Sequence, residues 1–138
     1  MNNHYLVALD PTAEAGEAAL PLATYAAKVT GGKLTVLVAL GGPTAQAFRD
    51  FAEAEQITVA AAADRYLEQV VTQVRDSGVA ADRLTIEGKD TAGEILGLLD
   101  GSDVTALAIP IAGRSTEKRV LDRLARHTSV PVLLVPAA

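Results

Sequence analysis

The 138-residue chain has no cysteine, no tryptophan and one methionine, and only 4% of its residues are aromatic. Without cysteine there is no disulfide, no thiolate metal site and no thiol nucleophile. The apolar content is still 49%, carried mostly by Ala, Val and Leu. Such small side chains suit close packing of helices on a sheet better than an aromatic-lined pocket. Basic residues are also short, with 12 Lys and Arg against 17 Asp and Glu, a formal charge of −5. A nucleic-acid surface needs the opposite balance to displace counterions, so nucleic acid is not an expected partner, the local cluster Lys118, Arg119, Arg123 and Arg126 notwithstanding. No apolar run approaches the roughly 20 residues that span a bilayer, so no membrane association is expected. The opening MNNHYLVALD lacks a basic segment followed by a long apolar one, so it does not read as a signal peptide. A cytoplasmic protein is the expectation.

What is present is an alternation of short apolar runs and helical segments. Tyr5 to Leu9 (YLVAL), Leu34 to Leu40 (LTVLVAL), Leu84 to Glu87 (LTIE), Val104 to Ile109 (VTALAI) and Val132 to Val135 (VLLV) read as five strands. Continuous apolar runs of this kind belong to strands buried on both faces. An Ala-rich helix runs to about Val29, with Pro21 kinking it or limiting its first turn, and Gly31-Gly32 ends it. Thr44 to Ser77 is helical, as one helix or as two broken near Gln56 to Val59, and Gly78 suits the position after its C-terminus. Phe48, Phe51, Ile57, Tyr66, Leu67, Val70, Val71 and Val74 are its expected inward residues; Asp64, Arg65 and Glu68 read as a solvated face. Tyr25, like Tyr66, sits at an inward helical spacing and is expected in the core. Thr91 to Leu99 and Ser115 to His127 complete the helices.

Strands alternating with helices predict an α/β fold in a single domain, residues 1–138: a five-stranded, mostly parallel sheet, doubly wound, with helices on both faces. Ligands of such sheets sit beyond the C-terminal strand ends, where strand order reverses. The residues there are Asp10 to Thr12, Gly41 to Thr44, Gly88 to Thr91 and Pro110 to Thr116. Asp10 either accepts hydrogen bonds from a base or ribose, or serves the start of the following helix, where a carboxylate is favoured. Gly113, Ser115 and Thr116 precede a helix whose free amides suit an anion, with Lys118 and Arg119 adding charge; Ser115 or Thr116 equally suits a plain N-cap. Neither Walker A nor the dinucleotide glycine fingerprint occurs. His4 lies before the first strand, opposite the expected cleft, and His127 closes the last helix, where the dipole accounts for it. No Ser-His-Asp set has plausible placement and no His and carboxylate cluster has metal-ligand spacing, so no catalytic residue and no metal site are expected.

The order of these elements and several local sequences resemble the universal stress protein family over nearly the whole chain. YLVALDPTAEAGEAAL is similar to that family's first strand, terminal Asp and first helix. GGKLTVLVAL is similar to its second strand, and IEGKDTAGEILGLLDGSDVTALAIP to its third strand, glycine turn, short helix and fourth strand. RHTSVPVLLVP resembles its closing signature. The resemblance implies a parallel sheet that dimerises through the last strand, here Val132, Leu133, Leu134 and Val135. It also implies a split between members that bind nucleotide and members that do not.

In the binders, a Gly-x-x-Gly, a nine-residue spacer and a Gly-Ser/Thr pair follow the fourth strand and hold ribose and phosphates. Asp10 matches the first-strand Asp that faces adenine, and Ala39 falls near the second-strand residue beside the base. Pro110 stands at the first glycine and Gly113 at the second. Lys118-Arg119 stand where the Gly-Ser/Thr pair belongs, after a spacer of about four residues. Proline has no amide donor and a fixed φ, and Lys and Arg bring bulk where close backbone approach is needed.

The expected function is therefore that of a non-enzymatic, non-ATP-binding stress-response protein without a cofactor, acting as a homodimer or through protein partners. The alternative is an adenine-nucleotide (ATP) binder using Asp10, Ala39, Gly113, Ser115, Thr116, Lys118 and Arg119 in a shortened basic loop.

Overall fold

The computed structural model describes residues 3–9, 18–40, 43–87, 91–101, 103–111, 122–124, 126–127 and 130–136. In chain order the elements are β1 (His4–Ala8), α1 (Ala19–Thr30), β2 (Lys33–Ala39), α2 (Pro43–Glu55), α3 (Val59–Asp76), β3 (Ala80–Ile86), α4 (Thr91–Gly101), β4 (Ala106–Ile111) and β5 (Val132–Pro136). Residues 122–124 and 126–127 are helical between β4 and β5.

The strands form one sheet in the order β3-β2-β1-β4-β5, and every pair is parallel. Strand alternation divides its apolar residues between two cores. Val7, Leu9, Leu34, Val36 and Val38 face α1, α2 and α3, and Leu67, Val71 and Phe48 reach them from the helices. Leu6, Leu37, Ile86 and Leu107 face the other way and meet Ile95 and Leu99 of α4 and Leu124. Leu67 and Leu107 are fully buried, and each such side chain contributes about 1.5–3 kcal/mol.

The helix ends follow local chemistry. Gly31 closes α1 at φ +68°, and its N–H donates to Ala27 and Lys28 carbonyls. Pro21 falls within the first turn of α1, where its missing N–H breaks no helical bond. The segment expected as one helix or two is two: Gln56 at φ +57° breaks it, and Thr58 restarts it with its hydroxyl accepting from the Ala61 N–H.

Several sequence expectations need correction. Tyr25 is 68% exposed and Phe51 44% exposed. Ala19, Ala23 and Ala27 take the core face of α1 instead, since small side chains let the helix lie close to the sheet. On α2 the core positions are Phe48 and Ala52. β3 begins at Ala80 rather than Leu84, because main-chain pairing with Lys33 to Ala39 continues through its polar half. β4 begins at Ala106 and runs on through Pro110 to Ile111. His4 is the first residue of β1, not a residue before it.

Candidate functional site at the strand ends

The chain runs outward from β1 through β2 to β3, then returns to place β4 on the opposite side of β1. The reversal leaves a crevice beyond the C-terminal ends of β1 and β4, the usual ligand position in such sheets. Its described floor is apolar. The Leu9 N–H donates to Leu37 (2.9 Å) and the Leu40 N–H to Ile86 (2.7 Å), which carries strand pairing to the rim. Leu9 and Ile86 are buried, and Ala39, Leu40 and Ile109 half-buried. These groups can pack against a planar apolar moiety; they carry no charge and no nucleophile.

Of the candidate residues, Ala39 is on this floor, as the last residue of β2 and opposite Ile86. Asp10, Gly113, Ser115, Thr116, Lys118 and Arg119 lie outside the described residues. Pro110 is in β4, opposite Val135 and beyond the last β1–β4 pair, Val7 with Ala108. β5 is an edge strand hydrogen-bonded to β4. Its Val132 packs toward α4, while Leu133 is 44% exposed on the face that carries α1.

His4 is at the other end of the sheet, as its place in the sequence implied. Its Nε2 lies 2.8 Å from the Thr35 hydroxyl, and its N–H donates to the Thr105 hydroxyl at 3.0 Å. Burial, then the charge of Lys33, holds its pKa below the ordinary 6.5 against an opposing pull from Asp82. His4 therefore takes no part in chemistry at the crevice. Among the described residues no three His, Asp or Glu side chains gather as a metal site.

One arrangement was not anticipated from the sequence. Arg83 of β3 donates to Asp64 of α3 at 2.7 Å and also pairs with Glu68. Its guanidinium is held further above its ordinary pKa, first by the Asp64 hydrogen bond. Asp64 and Glu68 are exposed, as expected of that helix face, yet they clamp α3 to the sheet edge. The signal available was the i, i+4 spacing of the two carboxylates, but the partner lies 19 residues beyond Asp64 in the chain.

The sequence profile of the universal stress protein family matches residues 1–136. Among solved structures, the hypothetical protein MJ0577 superposes with a TM-score of 0.75 at 17% identity, covering 100% of this chain and 98% of that one. A universal stress protein from Archaeoglobus fulgidus, in complex with dAMP, superposes at 0.67 and 21% identity, covering 96% and 97%. A universal stress protein family protein from Arabidopsis thaliana, with AMP bound, superposes at 0.68 and 16% identity, covering 99% and 92%. No curated protein matches the chain.

Proposed function

The chain belongs to the universal stress protein family, and from that premise we propose that it is a non-ATP-binding, non-enzymatic member acting as a homodimer and protein-interaction module in the cytoplasm. The observation that carries this reading is Pro110. It stands where the resemblance calls for the first glycine of the phosphate loop, and it is part of β4, opposite Val135. Proline there supplies no amide to a ligand and fixes φ near −65°. Lys118 and Arg119 in place of the Gly-Ser/Thr pair, after a spacer of about four residues, support the same conclusion.

The contrast between the sheet edges supports dimerisation through β5. The β3 edge, AADRLTI, carries Asp82 and Arg83, and charge on an edge strand discourages pairing. The β5 edge, VLLVP, carries none, and pairing with its own copy across a two-fold axis would cover it. The non-enzymatic part is supported by the lack of a plausibly placed Ser-His-Asp set in the sequence and by the position of His4 at the far end of the sheet from the crevice. The cytoplasmic part is compatible with the finding that, among the described residues, no helix is long and apolar enough to cross a membrane.

A second reading is favoured by a specific observation: two similar structures hold dAMP and AMP. On that reading Ala39 and the apolar floor receive adenine, Asp10 its polar edge, and Gly113 to Arg119 the phosphates. Calorimetric titration of nucleotide-stripped protein with ATP, with magnesium present and free phosphate as control, separates the two. No saturable heat at millimolar ATP is the expected result. A saturable, ATP-selective signal overturns the proposal and establishes the second reading.

A further inference from the structure

In a parallel strand, alternate residues turn their main-chain groups to opposite sides. On β3 the Ile86 carbonyl accepts the Leu40 N–H on the β2 side, and the pairing register runs unbroken from Ala80 to Ile86. The N–H and C=O groups of Ala80, Asp82, Leu84 and Ile86 therefore face β2. Those of Ala81, Arg83 and Thr85 face outward, where no further strand adjoins β3 among the described residues. β3 is the longer of the two edges, seven residues against five for β5. A long edge is the more inviting template for another chain, and natural edges are commonly short for that reason.

Two of the outward groups are held by the chain's own side chains. Arg75, in the last turn of α3, donates from Nε (3.1 Å) and Nη2 (2.8 Å) to the Ala81 carbonyl. A basic residue at that place commonly meets the last carbonyls of its own helix; this one reaches six residues on, to the strand edge. The Asp82 Oδ1 accepts the Arg83 N–H at 2.8 Å, while the Arg83 side chain turns to Asp64 and Glu68. The two held groups flank Asp82. In a parallel ladder one residue bonds the carbonyl before and the amide after the residue opposite it. A parallel strand added at this edge would therefore need both the Ala81 carbonyl and the Arg83 amide for its residue opposite Asp82. An antiparallel strand would need the same two groups, for two different residues.

We infer that Arg75 and Asp82 close the β3 edge to strand addition, so that a second copy of this chain can pair at β5 but not at β3. An incoming strand has to displace two guanidinium N–H groups from one site and a carboxylate from the next. At each it exchanges a charge-assisted hydrogen bond for a weaker, neutral one. The consequence is the size of the assembly. A protomer with one open edge stops at two copies about a two-fold axis. One with two open edges accepts a copy at each, and the sheet grows without limit. The inference rests on the proposed β5 dimer only for the size of the parent assembly; the closure of β3 does not depend on it.

Sedimentation velocity over a concentration series compares the parent with Arg75→Met/Asp82→Ala, and amide hydrogen exchange at Thr85 reports whether β3 is the surface joined. The double variant should form species larger than the parent's, at concentrations at least about tenfold below any at which the parent does so. Exchange at Thr85 should slow with their formation. Arg65→Met/Asp50→Ala removes the same charges from exposed positions of α3 and α2 and should sediment like the parent. Asp82→Asn keeps an acceptor for the Arg83 N–H without the charge, and should also stay in the parent state. Should the double variant melt below the parent, Asp82→Ala alone, at an exposed position, carries the test. The inference is overturned by a variant that sediments like the parent, or by larger species with Thr85 exchange unchanged. The same larger species in the Arg65→Met/Asp50→Ala control, or Asp82→Asn associating as readily as Asp82→Ala, overturns it too. The β5 reading fails separately, if the parent itself sediments as a monomer; the double variant should then gain a dimer joined at β3.

Discussion

Replacing Gly32 by alanine tests how tightly the start of the sheet is built. Gly32 lies between α1 and β2, and a Cβ placed on it would sit 2.6 Å from the Asn3 carbonyl oxygen, 2.9 Å from the Asn3 Cβ and 3.1 Å from its carbonyl carbon. That oxygen also accepts the Lys33 N–H at 2.9 Å, the bond that begins β1–β2 pairing. The obstruction is mostly backbone, so no rotamer change relieves it. Asn3 must shift, weakening the bond to Lys33 by about 0.5–1.5 kcal/mol, and the crowding that remains adds about 1–3 kcal/mol. A loss of about 2–4 kcal/mol is expected, a large part of the roughly 5–15 kcal/mol that holds a typical domain.

Neighbouring Gly31 is the internal control. It has φ +68° with nothing within 4 Å of its would-be Cβ, so Gly31→Ala costs only the left-handed backbone, about 1–2 kcal/mol. Urea unfolding followed by circular dichroism, with m compared across the variants, should rank Gly32→Ala as the more damaging. A Gly32→Ala protein within about 0.5 kcal/mol of the parent, or more stable than Gly31→Ala, refutes the reasoning.

Gln56 holds φ +57° between α2 and α3, so Gln56→Gly should leave stability unchanged or raise it by up to about 1 kcal/mol, relief of the left-handed backbone offsetting glycine's entropy cost; a clear drop in the urea midpoint would show a Gln56 side-chain contact that matters. The Arg83 clamp is solvent-exposed and should be screened by salt: any stability difference between the parent and Arg83→Met at low salt should vanish near 1 M NaCl, and a difference that persists would mean packing, not charge. The pKa of His4 is lowered in the folded protein from 6.5, so the unfolded chain binds more protons between the folded value and 6.5. Its contribution is fully present above 6.5 and is lost as pH falls through that window. The urea midpoint should accordingly drop more between pH 7.5 and 5.5 for the parent than for His4→Gln, and equal drops would remove His4 as the cause.

The sequence by itself determined that this chain forms alternating strands and helices in a parallel sheet. Continuous uncharged runs such as LTVLVAL mark strands of a sheet covered on both faces, and helices between them force parallel crossovers. It also located the crevice at the strand ends, since that position follows from topology. Ala39 was named from the family resemblance, since the apolar run itself reads on to Leu40; the structure ends β2 at Ala39. The occupants expected above it, from Asp10 and from Gly113 to Arg119, lie outside the described residues.

The inner face of α3, with Leu67, Val70, Val71 and Val74, was legible in the sequence, but only the tertiary structure decided the inner face of α1 and placed Ala52 rather than Phe51 in the core. Tyr25 and Phe51 have the spacing of core residues, but Ala19, Ala23, Ala27 and Ala52 take that face, because close approach to a flat sheet favours the smallest side chains. It likewise extended β3 back to Ala80 and recruited Arg83 to Asp64 and Glu68. A polar segment becomes a strand when a neighbour offers its main chain, and that neighbour is distant in sequence.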